Sequence, residues 1–278
     1  MTYKSVMTLW DGRDESRAAF DMAVEMVRQN DGHLNVLCLG IDVLHSGLYY
    51  AGATPIVISE NIEMARNTAR ELEQEVNKML AGSNINWSCQ ASVAQFGGLP
   101  TVVGNAARFN DLVVLPKPYG DNAPSHSAAV LEAAMFEGGA PVLVCPPDAK
   151  QQLGQRILVA WNESAEALVA IKAALPLIAK AESVDLVVID PAEHGETRSD
   201  PGVELSKMLA RHGAKVSVSV LAKTVPRISE VLARHATDFG ADMVVMGAYG
   251  HSRFRESILG GATRDMLEDT ECPVFMAH

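Results

Sequence analysis

Cysteine is scarce. The 278-residue chain has four, Cys38, Cys89, Cys145 and Cys272, spread widely and forming no C-x-x-C. That spacing argues against a disulfide or zinc framework and points to free, buried thiols in a reducing compartment. Basic residues are in the minority, 23 Lys and Arg against 34 Asp and Glu for a formal charge of −11. So acidic a chain lacks the broad electrostatic footprint that nucleic acid or anionic lipid requires. No apolar run approaches the ~18 residues of a membrane helix, and Met1-Thr-Tyr-Lys-Ser-Val6 enters a strand-like run without a charged-then-apolar leader. The expectation is a soluble, cytoplasmic protein. Also missing are a G-x-S-x-G elbow, an H-E-x-x-H pair, a Walker A lysine and clustered carboxylates at strand ends. His194, His212 and His235 lie apart from one another. We therefore assign no catalytic residue and no metal ligand, and expect a binding protein rather than an enzyme.

What is present is an ordinary globular balance, 48% apolar and 21% charged, at a length that favours two domains. The chain also repeats itself. Ser5-Val-Met-Thr-Leu-Trp10-Asp11 pairs with Ile157-Leu-Val-Ala-Trp161-Asn162, the tryptophans standing 151 positions apart. Phe109-Asn-Asp111-Leu-Val-Val-Leu115 pairs with Phe239-Gly-Ala-Asp242-Met-Val-Val-Met246, and Pro141-Val-Leu143 with Pro273-Val-Phe275, at offsets of 130 to 132. The drop in offset gives the first copy about 20 extra residues, placed most simply between Asp42 and Glu60. The polar, Pro- and Gly-containing stretch Pro146–Gly154 divides the copies. The expected domains are residues 1–147 and 155–278.

Short Val-, Ile- and Leu-rich runs alternate with longer helical spacing, the pattern of parallel strands joined by crossover helices. The fold expected is α/β, with two tandem open five-stranded parallel sheets flanked by helices. First-copy strands are predicted near Val6–Leu9, Leu34–Leu39, Trp87–Val93, Leu112–Leu115 and Val142–Cys145, with a helix over Asn61–Leu80. Its apolar stripe is Ile62, Ala65, Ala69, Leu72, Val76 and Met79. Second-copy strands are predicted at Ile157–Trp161, Val184–Ile189, Val216–Leu221, Met243–Met246 and Val274–Met276. Helices fall at Ser164–Ala181, Gly202–His212, Pro226–Phe239 and from Gly261. Pro176 should kink the first of these or end it early.

Ligands of an open parallel sheet bind beyond the carboxyl ends of its strands. The segment after the fourth strand of the second copy lies there: Met246-Gly247-Ala-Tyr-Gly250-His251-Ser-Arg253-Phe-Arg255-Glu-Ser-Ile-Leu-Gly260-Gly261-Ala-Thr263. Gly247 and Gly250 allow a sharp turn and close backbone approach. Gly260 and Gly261 open a helix whose first amides suit phosphate oxygens, and Thr263 adds a hydroxyl. His251, Ser252, Arg253 and Arg255 adjoin the loop, where phosphate is within their reach.

The G-x-x-G-x9-G spacing, the preceding Val-Val-Met-Gly and the terminal Cys-Pro-Val-Phe-Met resemble the universal stress protein family, whose tandem form agrees with the length and the repeat. The resemblance implies a five-stranded parallel α/β fold and, in many members, ATP at the strand ends, often with magnesium on the phosphates. On matching positions, Gly247, Gly250 and Gly260 would lie along phosphates and ribose, Met246 would be close to the nucleotide, and Val188 would meet the adenine through its backbone. The chain departs from the family in two places. Gly261 stands where Ser or Thr usually follows the last glycine, and Asn162 replaces the acidic residue after the first strand. AMP or ADP in place of ATP stays open for that reason.

The first copy reads Pro116-Lys-Pro118-Tyr-Gly120 after Leu115, so two prolines remove the amides that glycines offer in the second. We expect no nucleotide there, and expect the extra segment with His45, Tyr49 and Tyr50 to be a surface connection. The edge strands Val142–Cys145 and Val274–Met276 suggest that the two copies pair within one chain, with a homodimer left open. Three functional readings follow: a nucleotide-binding stress or regulatory protein, an interaction module without nucleotide, and a slow ATP hydrolase. The missing catalytic set disfavours the third, and the glycine loop alone separates the first two.

Overall fold

The computed structural model describes residues 2–42, 55–120, 122–191, 202–248 and 261–278. The chain divides into two compact units, Thr2–Val142 and Leu143–His278.

In the first unit, β1 (Ser5–Trp10), β2 (His33–Asp42), β3 (Asn86–Gln95) and β4 (Leu112–Pro116) lie in the order β3-β2-β1-β4, all parallel. The helices are α1 (Arg17–Asn30), α2 (Pro55–Leu80), α3 (Leu99–Ala107) and the short α4 (Ser127–Glu132), which runs on into a wider turn over Ala133–Glu137. Strand β5 (Val142–Cys145) lies at the division, with Leu143–Cys145 in the second unit. Ala65, Ala69, Leu72 and Val76 of the expected α2 stripe are buried. The helix starts at Pro55, not Asn61, so part of the stretch read as an insertion is an added helical turn and a half; proline suits a helix start. His45, Tyr49 and Tyr50 lie outside the described residues.

The second unit carries β6 (Arg156–Ala160), β7 (Ser183–Ile189), β8 (Val216–Leu221), β9 (Met243–Gly247) and β10 (Val274–Ala277) in the order β10-β9-β6-β7-β8, again parallel. Helices α5 (Ala165–Ile178), α6 (Val203–Arg211), α7 (Ile228–Phe239) and α8 (Gly261–Asp269) alternate with them. The central strands are buried throughout, from Ile157–Val159 to Met243–Val245, as a sheet covered on both faces must be. Strand β8, at the edge, exposes Val218 and Val220. Helix α5 passes through Pro176 and ends at Ile178, three residues short of Ala181. Proline in the last turn costs little, since few turns remain beyond it to lose a bond.

The repeat has a structural counterpart. Asp111 accepts the amides of Lys4 (2.7 Å) and Ser5 (2.9 Å) at the start of β1, and its own amide donates to the Ser5 carbonyl. Asp242 accepts those of Gly154 (2.9 Å), Gln155 (2.8 Å) and Arg156 (3.2 Å) at the start of β6, and its amide donates to Arg156. In each unit a carboxylate before the fourth strand therefore satisfies the amides that enter the first.

Candidate functional site

The carboxyl ends of β6, β7 and β9 converge with the start of α8. Beyond β6, the exposed Asn162 turns the chain: its side-chain oxygen accepts the Ser164 amide (3.1 Å), and Ser164 caps α5 by accepting the Ala167 amide (3.1 Å). Asn162 thus stands at the strand end as expected, holding the turn into α5. The register between β6 and β7 closes at Ala160↔Val187, with the Trp161 amide donating to the Val187 carbonyl at 2.9 Å. Val188 is the next residue along, its side chain buried and its backbone in register with Val220 of β8.

Met246 and Gly247 end β9, with Met246 almost fully buried. A Cβ on Gly247 would lie 2.4 Å from the Ala167 nitrogen and 2.8 Å from its Cα. Glycine is needed here because the N-terminal turn of α5 lies against the strand end, a packing reason that the glycine spacing alone does not reveal. At Gly261 no described residue lies within 4 Å of the Cβ position, and Gly261 and Ala262 are exposed in the first turn of α8. That turn carries the positive pole of the helix. Thr263 is buried on the inner side of α8, so its hydroxyl does not share that exposed position. Gly250, His251, Arg253 and Gly260 lie outside the described residues.

Sequence reasoning passed over three features of this end of the sheet. Glu163 (φ 63°), three residues past β6, and Asp190 (φ 49°), next after β7, hold left-handed backbone. Non-glycine residues seldom adopt it, and it clusters where loops are shaped for function. His278 closes the end of β10, its Nδ1 lying 3.1 Å from the Ala248 carbonyl. Only the Asn-Glu-Ser sequence at the α5 start hinted at any of this. A groove of about 600 Å³ opens at the opposite, amino end of the strands, between Arg234, Thr237, Asp242, Met266 and Thr270. It lacks the strand-end position and the glycine-opened helix, so the carboxyl end remains the candidate. Among the described residues, no three His, Cys, Asp or Glu side chains are placed to hold a metal ion.

The corresponding end of the first unit is filled by its own side chains. Asp11, after β1, pairs with Arg13 (2.7 Å) and accepts the Ser16 hydroxyl (2.5 Å). Arg13 reaches over to donate to the Asn122 carbonyl (2.6 Å), and the Asn122 amide group donates to Glu15 (3.0 Å). The loop after β4 is thereby tied down across the end of β1.

A repeated, doubly wound parallel α/β protein, with a glycine-opened helix at the strand ends of its second unit, is the class that these features define. Residues 154–278 match the model of the universal stress protein family. Over 98% of this chain and 99% of the relative, the sequence is 24% identical to the universal stress protein Slr1230 of Synechocystis sp.. The fold resembles that of a universal stress protein from Archaeoglobus fulgidus DSM 4304, with a TM-score of 0.73 at 16% identity over 100% of this chain and 99% of that one. It also resembles a protein of unknown function from Pseudomonas aeruginosa PAO1, with a TM-score of 0.61 at 14% identity over 99% and 92%. The family match thus lies in the second unit, while the chain as a whole resembles universal stress proteins in sequence and in fold. Among the described residues, no helix is long and apolar enough to cross a membrane.

Proposed function

We propose that the chain binds one adenine nucleotide, ATP in the first instance, at the carboxyl end of the second unit's sheet, and acts as a stress-response or regulatory protein rather than an enzyme. The observation that carries this reading is the open first turn of α8. Among the described residues, none crowds Gly261 in front of the helix amides, beside a strand end already turned outward at Asn162 and Glu163. The match of residues 154–278 to the universal stress protein family supports it. In this reading Gly250, Gly260, Gly261, His251 and Arg253 are assigned to the nucleotide's phosphates and Val188 and Met246 to its adenine. The ligand brings a polyanion, with magnesium as its counterion; the chain supplies amide dipoles and shape.

The first unit, in this reading, holds no nucleotide. Pro116 lacks an amide, and the Arg13 guanidinium already neutralises Asp11 and spans the strand end. Mass spectrometry of small molecules released from freshly purified protein tests the proposal. An adenine nucleotide at a molar ratio near one supports it, and a protein that neither carries nor takes up any adenine nucleotide refutes it.

A further inference from the structure

Strands β2 and β3 bring two thiols together. The Cys38 and Cys89 sulfurs lie 3.4 Å apart, 51 residues apart in sequence. Cys38 is buried, whereas Cys89 is half-buried on the outermost strand of its sheet. Register puts Cys38 opposite Ala91 and Cys89 opposite Val36, so the pair is diagonal on one face rather than directly opposed. From this geometry we propose that Cys38 and Cys89 form a peroxide-sensitive dithiol, Cys89 being the residue attacked and Cys38 the one that resolves it.

The two thiols are not equivalent. The hydrogen bond with Cys38 holds the Cys89 thiol below its ordinary range, against burial and the nearby Glu73 carboxylate. The same hydrogen bond, burial and the negative charges of Glu73 and Glu75 push Cys38 up. The half-buried sulfur is thus the better nucleophile and the covered one its reserve. The Cys89 thiolate attacks a hydroperoxide: an S–O bond forms, the O–O bond breaks, and the departing hydroxide leaves as water after taking a proton. Cys38 sulfur then attacks the sulfenic sulfur. The S–S bond forms, the S–O bond breaks, and hydroxide takes the Cys38 proton. Two thiols and one hydrogen peroxide give one disulfide and two waters.

The sulfurs are 3.4 Å apart against about 2.05 Å in a disulfide, and in a diagonal pair closing that gap takes a local shift of backbone as well as side chain. An edge strand, held by one neighbour, can shift where an inner strand cannot. A bridge that forms by such a shift should be readily reduced, as a reversible modification has to be. Cys145, wholly buried, and Cys272, pushed up by burial, supply internal controls.

The test uses the reduced full-length chain, hydrogen peroxide and peptide mass spectrometry. We expect a mass loss of about 2 Da, a single cross-link between the Cys38 and Cys89 peptides, and full reversal by dithiothreitol. Cys89 should lose its free thiol at least ~10-fold faster than Cys272. In Cys38→Ala the reaction should stop at a Cys89 adduct with dimedone, and in Cys89→Ser Cys38 should stay reduced. Oxidation of Cys272 while Cys38 and Cys89 remain reduced, or a wild-type Cys89 that halts at the dimedone adduct without a cross-link, would overturn the proposal. Both results are read on the wild-type protein, so a variant that fails to fold does not obscure them.

Discussion

Gly247 and Gly261, 14 positions apart in the same glycine-rich segment, answer to different constraints. At Gly247 an added methyl group would press on the Ala167 backbone, which has no flexible end to yield. Gly247→Ala should therefore cost about 3 kcal/mol in urea unfolding, the scale of overpacking a tight site. At Gly261 the methyl would meet none of the described residues. Gly261→Ser should leave stability within about 0.5 kcal/mol of the parent and tighten ATP binding, by placing a hydroxyl at the exposed start of α8. Equal losses in both variants would mean that the two sites had been misjudged. The sequence revealed that glycine matters in this segment but not why. A turn, a close helix and a ligand all select for the same missing Cβ, and only the neighbours tell them apart.

At the scale of elements, the strands of both units lie within one to three residues of their predicted ends. Buried parallel strands advertise themselves as unbroken Val, Ile and Leu runs. Helix α2 was harder, because Pro55 and its neighbours sit in a stretch whose glycines and aromatics read as a loop. Helix α7 shows a further limit. His235 shares the helical spacing of the apolar residues Val231, Leu232 and Phe239, and it does face inward, but toward a carboxylate: its Nε2 lies 2.6 Å from Asp185, which is buried on β7 and also accepts the hydroxyls of Ser217 (2.9 Å) and Ser219 (2.9 Å) on β8. Periodicity finds the inward face of a helix but cannot name a polar partner three elements back in the chain. Removing one partner of a buried carboxylate is costly, so His235→Ala should lose about 1–3 kcal/mol in urea unfolding. An unchanged midpoint would show that the pair contributes nothing.

Helix α4 offers a pH test. Burial chiefly pushes the His126 imidazole below its ordinary 6.5, with Arg13 adding to the effect and Asp11 opposing it. Below about pH 6.5 the unfolded chain takes up a proton that the folded form resists, so this stability is present above that value and is lost as pH falls. Between pH 7 and 5 the wild-type midpoint should fall further than that of His126→Gln. Parallel curves would refute the assignment.

For the whole molecule, the duplication was legible because strand runs and the Asp111 and Asp242 positions survived in both halves. The divergence was legible only in part. Pro116 and Pro118 signalled a changed loop, but the Asp11–Arg13–Asn122 ties that fill the first strand end join residues 109 positions apart, which no local pattern reveals. One half built to receive an anion and one half that has satisfied its own charges is the central claim. Calorimetric titration of the full chain with ATP and magnesium tests it most directly. The account predicts one site per chain, retained in Gly120→Ala and abolished in a folded Gly250→Val. A stoichiometry near two, or binding undiminished in Gly250→Val, would contradict it.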